Sequence, residues 1–249
     1  MNATLAQVLF SGFLLLTASW SHAEPSAPPR DQATHTGPAS SVSPTLAYVP
    51  PHRGAPALGR RIGGGTRSFD KQGPVVSVLA PDHVGLTMHD QPTLYWFVSE
   101  TVLTPIEVEV TLMEADGVKP IMKAKLQPPI RPGIQRMNLA DHGVHLAPGG
   151  QYEWSVALVL DPKRRSRDIV VSGGIERVTP EQAGEIPADK TPSQDIVARY
   201  AKAGLWYDTV MGVSDLIAAS PADQSLRQQR ADLLDTAGLK EVSAYDRGH

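Results

Sequence analysis

The 249-residue chain contains no cysteine. That absence excludes disulfides, thiolate nucleophiles, the usual zinc-finger ligand sets and a lipoprotein anchor. Charge of one sign is lacking too. Its 23 basic and 26 acidic side chains leave a formal net charge of −3, so nothing in the balance attracts nucleic acid or an anionic membrane. No Gly-x-Ser-x-Gly elbow occurs, which removes the strained turn of a serine hydrolase. The glycine-rich stretch Gly63-Gly64-Gly65-Thr66 lacks the Gly-Lys-Ser/Thr ending of a phosphate loop, and no strand precedes it. No cofactor is implied.

What is present begins with an apolar run over residues 5–20, carrying Leu9, Phe10, Phe13, Leu14, Leu15 and Leu16 without a charge. It falls short of the ~20 residues that span a bilayer. Ser21-His22-Ala23 supplies small residues where a signal peptidase reads them, and Glu24-Pro25 follows. Residues 1–23 are therefore expected to be a signal peptide cut after Ala23, although only the α-amino group is positive ahead of the run. The expected location is periplasmic or secreted, with no stable membrane anchor after cleavage. Residues 24–60 hold prolines at 25, 28, 29, 38, 44, 50, 51 and 56. They bury too little apolar surface to offset ordering entropy and are expected to form a disordered or polyproline-like linker.

Residues 61–179 change character. Apolar and polar residues alternate with period two in short runs at 75–80, 93–98, 106–112, 121–126, 134–139, 152–160 and 168–178, stopped by turn residues. The Asp116-Gly117 pair predicts a hairpin, and Gly173-Gly174 predicts a bulge in the last strand. The fold class expected is mainly β, an antiparallel β-sandwich of immunoglobulin- or fibronectin-III-like type, followed by a small α-helical hairpin tail. Trp96 and Trp154 lie inside apolar runs, where core packing outweighs a carbohydrate platform.

Over 191–240 the apolar period becomes helical. Thr191-Pro192-Ser193-Gln194 reads as a capping box with Pro at the first helical position, and Ser220-Pro221-Ala222-Asp223 begins a further helix the same way. Gly204 and Gly238 read as helix stops. Tyr200, Gly204-x-Trp206 and Pro221 keep the spacing of one tetratricopeptide hairpin, with a capping helix after it. Thr209 and Leu216 stand where that hairpin has small residues.

Candidate binding residues are Arg60, Arg61 and Arg67 around the glycines, Arg164 and Arg165 in the charged 161–168 loop, and Trp206 and Tyr207 in the tail. Arginines on flexible backbone grip carboxylates and other anions, so the expected partner is an envelope protein or an anionic ligand. Asp82-His83, His89-Asp90, Asp141-His142 and His145 sit in polar turns without the helical spacing of a zinc hydrolase, and no metal site is assigned. The rival reading is an envelope hydrolase of glycans or phosphate esters using Asp82, Asp90 and Asp141. A structural envelope protein without a discrete ligand is a third.

Several motifs together resemble domain-of-unknown-function family 928, exported bacterial proteins best represented in cyanobacteria. They are Arg60-Arg61-x-Gly63-Gly64-Gly65-Thr66-Arg67, Gly85-Leu86-Thr87 leading to Pro92-Thr93-x-x-Trp96, and Tyr152-x-Trp154 running into Asp161-Pro162-x-x-Arg165-Ser166-x-Asp168. Tyr200-Ala201-x-x-Gly204-x-Trp206-Tyr207-Asp208 and Leu233-Leu234 to Gly238-Leu239 complete the match. The resemblance spans residues 53–242 and implies architecture and compartment, with no catalytic residue to carry over. It also implies cysteines at two places where this chain has residues such as Phe69 and Leu160.

Overall fold

Period-two runs become strands where turn residues stop them. The computed structural model describes residues 46–51, 61–63, 73–114, 117–183, 186 and 191–249. The expected signal peptide, most of the expected linker, Arg60, Arg67, Phe69 and Asp116 lie outside the described residues. The strands are β1 (Ile62–Gly63), β2 (Val76–Val78), β3 (Gly85–Thr87), β4 (Thr93–Val98), β5 (Ile106–Glu114), β6 (Gly117–Leu126), β7 (Gly133–Asn138), β8 (Gln151–Leu158) and β9 (Ile169–Arg177). They form two sheets, in the orders β1-β2-β4-β7 and β3-β9-β8-β5-β6. One pair departs from the expected antiparallel scheme: β3 runs parallel to β9. After β2 the chain bends at Pro81-Asp82, enters the other sheet, and meets its last strand in the same direction.

Strand β5 shows why the faces sort as they do. Ile106, Val108 and Val110 are fully buried, while Glu107 and Glu109 point out and reach Lys123 at 3.3 and 3.8 Å. Strand β4 is buried at all six positions. Its alternate side chains meet two different layers, and Phe97 packs edge-on against Tyr245 with ring centroids 5.2 Å apart. Tyr152, at the start of β8, accepts the Ala147 N–H on its hydroxyl at 2.8 Å and so pins the loop before that strand.

The tail holds α1 (Pro180–Ala183), α2 (Gln194–Lys202), α3 (Trp206–Ala219), α4 (Gln224–Thr236) and α5 (Lys240–Gly248). It exceeds a hairpin with one capping helix, because α5 continues past residue 240. Trp206, Tyr207, Val210, Leu233, Leu234 and Val242 share one apolar cluster with the sandwich strands. The described fold is thus a β-rich α+β structure in which sheet and helices bury each other.

Three local expectations change. Ser193 caps α2, accepting the Ile196 N–H at 3.3 Å, and Asp223 caps α4, accepting the Ser225 N–H at 2.9 Å. The polar residue nearest each helix wins, so Pro192 and Pro221 stand ahead of the caps. Strands β8 and β9 stay in register through Gly173 and Gly174. Those glycines answer to crowding, since a Cβ on Gly173 would sit 2.5 Å from that of Ala80. The irregularity lies instead between Val110 and Thr111 of β5, opposite Pro120 in the edge strand.

Residues 46–51 fall inside the stretch expected to be linker, yet they pack on the tail. Leu46 is buried beside Val197, Ala201 and Val213, and the Val49 N–H donates to Ala201 O at 3.1 Å. The left-handed Gly204 (φ 74°) ends α2 and lets this strap approach, for a Cβ there would lie 2.9 Å from Val49 O.

Candidate functional site

The sequence-predicted residues separate into inner and outer sets. Trp206 and Tyr207 are buried. The Trp206 indole donates to Leu79 O at 2.8 Å. The Tyr207 hydroxyl accepts from the Trp154 indole at 2.9 Å and donates to Gly174 O at 2.8 Å. These buried side chains fasten α3 to the strands and their connections. Trp96 and Trp154 are fully buried as well, so neither is a surface platform. Arg61 donates to Ala80 O at 3.2 Å and to Ala237 O at 2.7 Å, tying the first sheet to the C-terminal end of α4.

Arg164 and Arg165 stay at the surface. Arg164 is 3.8 Å from Asp161, a contact of little energetic weight. Arg165 is engaged by Glu107 at 2.7 Å and Asp168 at 2.6 Å. The Arg165 and Lys123 cations hold the Glu107 carboxyl below the usual range, and the two carboxylates push the Arg165 pKa up. Arg165 is therefore neutralised within the fold.

The polar turns form three His–Asp pairs. His83 joins Asp82 (3.1 Å) to the Tyr48 hydroxyl (2.9 Å), and burial pushes that phenol's pKa up. His145 meets Asp90 at 3.0 Å. Hydrogen bonds from these two histidines hold Asp82 and Asp90 low, which suits permanent carboxylates and not proton donors. The third pair escaped the sequence reading. Asp208, fully buried in the first turn of α3, accepts from His89 Nδ1, from the Thr87 hydroxyl at 3.2 Å and from the Met88 N–H at 3.2 Å. Among the described residues no group of three or more His, Asp or Glu is arranged to hold a metal ion.

A different place gathers uncommitted charge. Cross-strand pairing sets Thr93 opposite Asn138 and Tyr95 opposite Arg136, so alternation puts all four on one face of β4 and β7. Helix α3 crosses this face with Met211 and Asp215, one turn apart. The 3₁₀ turn Leu139–His142 closes the end. The result is a cleft of about 410 Å³ lined by Thr93, Arg136, Met137, Asn138, Asp141, His142, Met211 and Asp215. Burial raises the Asp215 carboxyl pKa, with Arg136 pulling it back. Burial and the Asp215 charge together raise the neighbouring Tyr95 phenol. The side chains of Arg136, Asp141, His142 and Asp215 form no ion pair or hydrogen bond within the described structure. Only Asp141 and His142 of these four had been singled out from sequence. A second cleft of about 560 Å³, with Val102, Leu103, Leu158 and Leu160, is largely apolar and has Glu100 as its one ionisable side chain.

No described helix is long and apolar enough to cross a membrane. A search of the curated proteins finds no match to the chain. The family model described as Domain of Unknown Function (DUF928) matches residues 62–246, covering both sheets and the helical tail. The chain belongs to that family.

Proposed function

We propose that the chain is an exported, non-catalytic binding module of the cell envelope, periplasmic or secreted, which takes a small charged ligand in the cleft between β7 and α3. One observation carries this reading. Arg136, Asp141, His142 and Asp215 line one concavity, and among the described residues none of the four forms an ion pair or hydrogen bond. A concave site with a few convergent polar groups is where a small ligand binds by default. The expected anion fits Arg136, the cation on this lining. The hydrolase reading receives no comparable support. Asp82 and Asp90 lie outside this cleft and are held as carboxylates by their histidines.

The scaffold reads as an immunoglobulin- or fibronectin-III-like sandwich. Strands β2, β4 and β7 take the A, B and E positions. Strands β9, β8, β5 and β6 take G, F, C and C′, with β3 beside β9. Tyr152, two residues before Trp154 and bonded back to Ala147, has the place of the tyrosine corner. The tail reads as a tetratricopeptide-like hairpin bound to this scaffold.

The test is a mixed small-molecule library screened by amide chemical-shift mapping. Binding is expected to move Asn138, Met211 and Asp215, and to fail in the Arg136→Gln/Asp215→Asn double variant. A library that leaves those amides unmoved, or a ligand that maps elsewhere, defeats the reading. For export, expression of the full chain in a bacterial host with a periplasm should yield periplasmic protein beginning at Glu24. Cytoplasmic retention with Met1 intact would overturn it.

A further inference from the structure

Arg136 and Asp215 both line the cleft from different elements, one on β7 and one on α3. They are close enough for the guanidinium to act on the carboxyl, yet they form no ion pair. Arg136 belongs to the six-residue pairing of β4 with β7, and Asp215 to a fourteen-residue helix whose N-terminal turn is anchored through Trp206, Tyr207 and Asp208.

Opposite charges that line one cleft without pairing are matched by a ligand that carries both signs. Resting on the binding reading above, we infer that the cleft takes an amino-acid zwitterion, its carboxylate on Arg136 and its ammonium on Asp215. Arg136 offers the two parallel donors a carboxylate accepts. Asp215 accepts from an ammonium, and Asp141 adds negative charge on the same lining. Asn138 spends its side-chain oxygen capping the 3₁₀ turn, accepting the Ala140 N–H at 3.0 Å, which leaves its NH₂ for the ligand. Met211, one helical turn before Asp215, presents an apolar contact for the ligand's side chain. Burial of the Asp215 carboxyl, already costly to its charged form, is relieved when an ammonium arrives.

A matched trio tests the inference by amide shift titration: L-leucine, 4-methylpentanoate, which lacks the ammonium, and 3-methylbutylamine, which lacks the carboxylate. L-leucine is expected to move Asn138, Met211 and Asp215 saturably, with both single-charge analogues at least tenfold weaker. Asp215→Asn should reduce L-leucine to the level of 4-methylpentanoate, and Arg136→Gln to the level of the amine. If either analogue matches L-leucine, the cleft is a one-charge site and the inference falls while the binding reading stands. If none of the three moves these amides but a library compound does, the inference alone fails. If nothing moves them, both fail.

Discussion

Replacing Asp208 by alanine is expected to cost the fold about 3–5 kcal/mol, the range found when one partner of a buried charged contact is removed. The structure explains the size. The carboxylate is fully buried and accepts from His89 Nδ1, the Thr87 hydroxyl and the Met88 N–H. Alanine would strand three donors supplied by β3 and the two residues after it. Each bond to a charged acceptor contributes roughly 1.5–3 kcal/mol, and bonds sharing one acceptor do not add independently. The same three bonds join the parallel edge strand to the first turn of α3, so the loss falls where sandwich and tail meet. Urea unfolding followed by tryptophan fluorescence suits the measurement, because Trp96, Trp154 and Trp206 are all buried. With an m-value of about 2 kcal/mol/M, the middle of the usual range, the midpoint should drop by about 1.5–2.5 M. Thr87→Val, which removes one donor to Asp208 and the acceptor of the His89 N–H, should cost about 1–2 kcal/mol. A loss below about 1 kcal/mol for the alanine variant would refute the reasoning, since a buried carboxylate with three donors would then carry no weight.

Tyr207→Phe should cost about 2 kcal/mol in the same assay, because the Trp154 indole and Gly174 O both lose their partner at that hydroxyl. Glu107 has its carboxyl held low by Arg165 and then Lys123. Its contribution to stability is present above the ordinary glutamate pKa of about 4.3 and lost as pH falls through the lower folded value. A pH series on Glu107→Gln should show that part of the acid decline removed. Asp215, raised by burial, behaves oppositely: stability falls as pH rises through the ordinary aspartate range toward its higher folded value. Asp215→Asn should therefore be slightly more stable than the parent at neutral pH, by less than about 0.5 kcal/mol once screening at this half-exposed site is counted. Equal or lower thermal midpoints for the variant at pH 7 would contradict this.

The strands were legible where apolar runs end at turn residues. Residues 106–112 alternate strictly and 93–98 form an aromatic-rich run between Pro92 and Ser99, and β5 and β4 occupy them. Strand β3, with three residues, is too short to show a period, and its pairing is set by where the chain crosses between sheets. Helix α5 was missed for another reason. Its buried face includes Ser243 and Asp246, which a hydrophobic pattern cannot reveal. Asp246 receives Arg230 at 2.7 Å on both oxygens, and Ser243 donates to Asp235 at 2.5 Å. The small residue missing at Thr209 and Leu216 was present at Gly212, where a Cβ would stand 2.7 Å from Val197. The helices α2 and α3 approach there, three residues beyond Thr209.

The candidate site was the least legible part, and the cause is chemical. Sequence singles out charge by density, so the Arg164-Arg165 loop attracts notice while an isolated Arg136 between Gln135 and Met137 does not. Density is no guide to availability, since Arg165 is taken up by Glu107 and Asp168 and Arg247 by Asp232 and Asp235. Arg136 and Asp215 are 79 positions apart, on a strand and a helix with different layers behind them. Each reaches the cleft from its own element, and among the described residues neither is in an ion pair. A ligand carrying both signs supplies each with the partner that chain proximity never offered.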